Sequence, residues 1–216
     1  NPHGTQRVLP AVFRGKYGKG ERGVTALYLL RHACTSSNLC GRYLGRTDEP
    51  LCKEGVVQAS RLSLGAVDRV FVSPLSRCVQ TARIVFPQAQ QTVVEGFQEC
   101  DFGEFEGKSY QELSGDPRYQ AWIDSGGELP FPSGESKEEF CRRTCRAFEE
   151  ILPELLGCAA CAVVAHGGTL MALLERYALP RRGYYEYQVK NCGGFLTQLT
   201  MQNGRAQIKI MEELSC

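Results

Sequence analysis

Two short apolar runs, residues 24–30 and 159–165, each stop at a histidine, and this constrains the chain more than any other feature it has. Each run has the length and the apolar or aromatic make-up of a buried strand. The first ends at Arg31, His32 and a small residue; the second ends at His166-Gly167-Gly168-Thr169 and passes into a helical pattern. Ligands of open α/β sheets sit at the carboxyl ends of the strands, so an Arg-His pair there reads as an anion site. The second run puts strand, glycine turn and helix N-terminus in succession, where backbone N–H groups have no helical partner and favour an anion. The chain holds three histidines, and the third, His3, lies in an amino-terminal arm. A scatter of core histidines would not put both of the others at strand ends. Behind Arg31-His32, the residues Thr35, Ser36, Ser37 and Asn38 offer hydroxyl and amide donors, and Gly41 and Gly45 let backbone approach a ligand closely.

At 216 residues, 43% hydrophobic and 23% charged, the chain has the make-up of one ordinary globular domain. A formal net charge of +1 creates no global field for nucleic acid or a membrane surface, so any anion specificity is local. No apolar run approaches a membrane span, and the expected location is cytoplasmic. Eleven cysteines are scattered through predicted strands and helices rather than framing loops, which points to reduced thiols used as small apolar residues. Cys158 and Cys161 form a C-x-x-C, but it leads into a strand instead of opening a helix after one, and Cys141 with Cys145 lacks two further converging ligands for zinc. Residues 1–23 carry Arg7, Arg14, Lys16, Lys19 and Arg22 against Glu21 alone and show no periodicity; a mobile basic arm is expected.

Downstream, the pattern predicts a helix over 53–64, a strand over 67–72, a helix over 76–85 that closes before Pro87, and a strand over 91–94. Arg77 falls in the first turn of its helix, where the dipole disfavours a cation unless a bound anion offsets it. Residues 95–107 alternate Glu99, Asp101, Glu104 and Glu106 with Phe97, Phe102 and Phe105, the obvious source of a proton donor. Residues 108–134 carry Tyr110, Tyr119, Trp122 and Phe131 with short helices near 109–113 and 116–123, an insertion suited to capping a site. A long helix over 135–156 follows, with Pro153 expected to kink it or end it early. After the helix that begins near residue 170, strands are expected at 184–189, 195–202 and 207–211.

Three stretches carry a resemblance. Leu30-Arg31-His32-Ala33-Cys34-Thr35-Ser36-Ser37-Asn38 with the segment 41–51, then Ser73-Pro74-Leu75-Ser76-Arg77-Cys78-Val79-Gln80-Thr81-Ala82, then Val163-Val164-Ala165-His166-Gly167-Gly168, are similar in kind and order to the motifs of the histidine phosphatase (phosphoglycerate mutase-like) superfamily. The segment 41–51 and the run 99–113 look most like its α-ribazole phosphatase-like branch. The resemblance spans most of the chain from Val24 to Leu199. It implies a single-domain three-layer α/β/α sandwich with a mostly parallel sheet and a small helical lid insertion at about 108–134.

It also implies roles. His32 is the nucleophile that forms a phosphohistidine, and Glu99, by its place in the family's acidic segment, is the general acid. Arg31, Arg77 and a protonated His166 complete the catalytic set, and Asn38, Gly45 and the Gly167 N–H join the two arginines in binding substrate. Arginine forks suit phosphate oxygens, and an arginine-rich, carboxylate-poor pocket needs no metal, so neither metal nor cofactor is expected. The expected partner is a small phosphorylated metabolite such as α-ribazole 5′-phosphate, and the expected state a monomer or homodimer. Ala33 and Cys34 stand where the family usually has Gly and commonly Glu, and Leu44 where related phosphatases often have Gln. Two other readings compete: a phosphoglycerate mutase, and a phosphate-ester binding protein without turnover. Against the mutase stand the short insertion and Gly168-Thr169, where mutases tend to carry Asn-Ser.

Overall fold

The computed structural model describes residues 23–216, so the amino-terminal arm lies outside the described residues. Its elements in chain order are β1 (Val24–Arg31), α1 (Ser36–Leu39), α2 (Lys53–Arg61), β2 (Arg69–Val72), α3 (Ser76–Val85) and β3 (Gln90–Val93). Two short helices, α4 (Tyr110–Leu113) and α5 (Pro117–Asp124), precede the long α6 (Lys137–Leu156), followed by β4 (Ala160–Ala165), α7 (Gly167–Tyr177), β5 (Gly194–Gln202) and β6 (Arg205–Leu214). The strands form one sheet in the order β3-β2-β4-β1-β5-β6. The first four run parallel, and β5 pairs antiparallel with β1 and with β6.

Strand periodicity explains why the two histidine-tipped runs are apolar throughout. Side chains alternate between the two faces of a sheet, and here both faces are covered. Leu27 and Leu29 of β1 join Cys161, Val163 and Ala165 of β4 in a cluster with Phe148, Ile151 and Leu155 of α6 and Leu170, Leu173 and Leu174 of α7. Ala26, Tyr28 and Leu30 join Ala160, Ala162 and Val164 on the other face with Ala59 of α2 and Cys78, Ala82 and Val85 of α3. The result is a three-layer α/β/α sandwich. A third cluster, including Phe105, Leu113, Tyr119, Phe131 and Tyr184, joins the 108–134 insertion to α6 and α7.

Three local expectations are corrected. Residues 184–189, expected as a strand, form a short 3-10 helix at Tyr184–Tyr187; Tyr184 and Tyr187 are buried in two different clusters, so the tyrosines pack rather than extend a ladder. Pro153 does not end α6, which runs to Leu156. It stands in the last turns, where burial of Ile151 and Leu155 holds the helix against the lost N–H. The helix expected to reach residue 64 stops at Arg61, because Leu62 turns extended.

Candidate active site

Register alone brings the two histidines together. β1 pairs with β4 so that Arg31 lies opposite Ala165, and one residue further His32 faces His166. The His32 N–H donates to the Ala165 carbonyl at 2.9 Å, and the two rings stand edge to face with centroids 5.2 Å apart. β2, the neighbour of β4 on its other side, ends at Ser73, whose hydroxyl lies 2.8 Å from His166 Nε2. Both histidines are almost fully buried.

His32 Nδ1 is 2.7 Å from the Ala33 carbonyl oxygen. A carbonyl only accepts, so Nδ1 carries the proton and Nε2 keeps its lone pair. Burial, then Arg77, then Arg31 push His32 well below the usual histidine range, which keeps this lone pair available. His166 is depressed by burial and by Arg77, His32 and Arg31.

Arg77 is the second residue of α3 and fully buried. Its two terminal nitrogens donate to the carbonyls of Thr47 at 2.8 Å and Gly45 at 2.7 Å. Arg31 Nη1 donates to Val189 at 2.7 Å. Nε of each is buried without an acceptor, and among the described residues neither arginine forms a salt bridge. The site floor thus carries two cations with no carboxylate paired to them.

Glu99 lies among these groups. Its Oε2 accepts from the Gly168 N–H at 3.3 Å, near the start of α7, and its Oε1 from its neighbour's N–H, Cys100, at 3.0 Å. A Cβ on residue 168 would stand 2.4 Å from Glu99 Oε1 and 3.0 Å from Phe140, so glycine is what admits the carboxylate. Burial outweighs those two N–H groups and both arginines, and the carboxyl is pushed above its ordinary value.

Asn38 sits in α1, which is capped reciprocally by Thr35. Its Oδ1 accepts from the Thr35 N–H at 3.2 Å and from Asn191 Nδ2 at 3.0 Å, which leaves its NH₂ as the group to offer a ligand. Asn191 Nδ2 also reaches the His32 carbonyl at 3.2 Å.

Arg31, His32, Asn38, Glu99 and Gly167 all line one cavity of about 370 Å³. Its outer wall is aromatic, with Tyr43, Phe102, Trp122, Phe131 and Tyr185 beside Leu44 and Lys137. Trp122 does not offer a free face: it stacks on Tyr119 at 16° and leans on Phe131 with centroids 5.0 Å apart. Tyr110 is exposed and away from the cavity, and Tyr119 lies behind Trp122.

Of the site residues named from sequence, Gly45, Arg77 and His166 do not line the cavity, and Gly45 serves another purpose. Its N–H donates to Glu106 at 2.8 Å, its carbonyl holds Arg77, and a Cβ there would lie 2.1 Å from the Cys100 carbonyl. Its closeness serves packing and the placement of Arg77. Arg77 and His166 sit beneath the cavity wall rather than in it. Cys34 lies outside the cavity too, its N–H bonded to Gln58 Oε1 at 3.1 Å. Sequence reading missed Ser73 as the His166 partner, Asn191 as the brace of Asn38, and Glu106. Their partners are 93, 153 and 61 residues away, and no local pattern marks such pairs. Among the described residues no three of His, Cys, Asp and Glu are placed as a metal ligand set, and no helix is long and apolar enough to cross a membrane.

The sequence profile of the histidine phosphatase superfamily (branch 1) matches residues 27–213. The adenosylcobalamin/α-ribazole phosphatase of Salmonella typhimurium is 30% identical over 197 residues, covering 83% of this chain and 96% of the relative. A 2,3-bisphosphoglycerate-dependent phosphoglycerate mutase of Cytophaga hutchinsonii is 31% identical over 160 residues, 68% of this chain and 75% of the relative. The crystal structure of the α-ribazole phosphatase from Shigella flexneri superposes with a TM-score of 0.73 at 25% identity, covering 87% of this chain and 96% of that one. Fold, paired histidines and these likenesses agree: the chain belongs to the histidine phosphatase superfamily, whose enzymes act on phosphate esters.

Proposed function

We propose that this protein hydrolyses a small phosphomonoester through a phosphohistidine on His32. The observation that carries the reading is the Nδ1–H bond from His32 to the Ala33 carbonyl, which fixes the tautomer with Nε2 unprotonated beside two arginines that have no carboxylate partner. Phosphoryl transfer asks a protein mainly to position the group and neutralise its oxygens. Arg31, Arg77, the Asn38 amide and the Gly167 N–H supply that. Burial, Arg77, His32 and Arg31 hold His166 below the usual histidine range, and a phosphoryl dianion beside it reverses the local field and favours its protonated form. Nε2 of His32 attacks phosphorus in line while Glu99, whose protonated form burial favours, gives its proton to the departing alkoxide. The same carboxylate, now ionised, takes a proton from the water that cleaves the phosphohistidine.

Turnover is metal-free in this reading, because the floor presents cations and one carboxyl that burial favours in neutral form. EDTA is expected to leave the rate unchanged, whereas loss restored by Mg²⁺ would overturn the assignment of charge neutralisation to arginine. α-Ribazole 5′-phosphate is the first candidate substrate, supported by the likeness to α-ribazole phosphatases and by the aromatic outer wall. The rival is a mutase. Gly168, which the position of Glu99 requires, and the short insertion favour hydrolysis. p-Nitrophenyl phosphate assayed with and without 2,3-bisphosphoglycerate separates the readings: hydrolysis independent of the bisphosphate supports a phosphatase, dependence on it a mutase, and no turnover a binding protein.

A further inference from the structure

The strand ladder between β5 and β6 closes at the pair Gly194 and Leu214. Two residues outward stand Cys192, in the turn that precedes β5, and Cys216, which follows β6. The Cys216 thiol donates to the Cys192 carbonyl oxygen at 3.3 Å, and contact with Cys216 and burial push the Cys192 thiol well above the ordinary cysteine range. Cys216 is exposed; Cys192 is fully buried and sits at φ +62°, a conformation a β-carbon disfavours.

What surrounds Cys192 gives the pair its interest. Its N–H donates to the His32 carbonyl at 3.0 Å. The preceding residue, Asn191, reaches the same carbonyl and Asn38, and the following Gly193 accepts from the Arg31 N–H at 2.9 Å. Three consecutive residues therefore anchor the end of the strand that presents His32.

We propose that Cys192 and Cys216 are a thiol modification site whose substrate is a small disulfide such as oxidised glutathione, and that joining them lowers turnover by shifting the anchors of His32. The functional half of this rests on His32 being the nucleophile. The Cys216 thiolate attacks one sulfur of the small disulfide, forms a mixed disulfide and expels one thiolate. The Cys192 sulfur then attacks the Cys216 sulfur and expels the second, which takes up the Cys192 proton. Two protein thiols are oxidised and one small disulfide is reduced to two thiols. Cys216 suits the first step, since it is exposed and the hydrogen bond from Cys192 holds its thiol below the ordinary cysteine range. Cys158 and Cys161 share a similar thiol contact but flank the amino end of β4, at the far end of the sheet from the histidines, and serve as an internal control.

The full chain is reduced, incubated with oxidised glutathione, and split into a non-reducing digest and a p-nitrophenyl phosphate assay. The expected results are a peptide linking Cys192 to Cys216 and a fall in kcat of about tenfold to a hundredfold, as a displacement near 1 Å of a reacting group produces, reversed by dithiothreitol. Cys216→Ser keeps the reduced rate and is insensitive to the treatment, while Cys158→Ser and Cys34→Ser respond as the wild type does. Absence of the 192–216 link, a link without change in kcat, or an equal loss in Cys216→Ser would each overturn the proposal. Inactivity of the reduced wild type would count against the phosphatase reading instead, and the link is scored by mass independently of it.

Discussion

Glu99 is the residue whose environment decides the direction of the chemistry. Burial raises its pKa while burial and two arginines lower that of His32. In the proposed reaction the general acid has to be protonated and the nucleophile not, and the two shifts favour those states within one cavity. On that proposal activity should be lost as pH falls through the depressed value of His32 and as pH rises through the raised value of Glu99. The profile of kcat/KM against pH should be a bell whose acid limb lies below the usual histidine range and whose alkaline limb lies above the usual carboxylate range. Glu99→Gln should remove its alkaline limb and lower kcat on an alkyl phosphate by about 10²–10⁴-fold. The loss should be smaller on p-nitrophenyl phosphate, whose leaving group departs without a proton. Equal losses on both esters would show that Glu99 does not protonate the leaving group.

At the scale of elements, the site is held by strand ends and by the loop before β5. Asn191→Ala removes a donor from the His32 carbonyl and from Asn38 while leaving the sheet intact. With each bond worth about 0.5–1.5 kcal/mol, kcat/KM should fall about tenfold with the melting temperature within a few degrees of wild type. An unchanged kcat/KM would show that the brace is idle. Gly168→Ala should cost more in kcat, since its methyl would meet Glu99 Oε1 at 2.4 Å and push the carboxyl off the helix N-terminus; wild-type kcat in that variant would contradict the close fit. The strands bearing His32 and His166 were legible because a buried strand in a covered sheet has to be apolar without interruption, and because a charged or polar stop after such a run has nowhere to go but the sheet edge. The helices were legible from apolar spacing and from the prolines that bound them, down to the start of α3. The segment 184–189 was not, since tyrosines that pack on a helix and tyrosines in a strand share one composition. Asn191, Ser73 and Glu106 were illegible for a different reason: each acts on a partner that only the sheet order brings near. Trp122 was legible as a wall residue, yet nothing local showed that Tyr119 and Phe131 already cover it.

Across the whole molecule, two buried neutral histidines have a price in stability. In the unfolded chain both titrate near the ordinary pKa of about 6.5, whereas in the fold both are held well below it. Below that pH the unfolded state binds more protons, so stability is fully present above the ordinary value and falls as pH drops through it. Glu99, shifted upward, works in the opposite direction with one proton against two. Thermal melts taken from about pH 8 to about pH 5 should show a falling melting temperature, with a shallower fall in His166→Gln; an identical fall in that variant would remove His166 from the balance. The proposed function stands on one covalent species, a phosphohistidine on His32. Rapid quench with substrate labelled in its phosphoryl group tests it most directly. Acid-labile, base-stable label on His32 in the wild type and none in His32→Ala is the predicted result, and label that persists in His32→Ala, or that maps to His166, would contradict it.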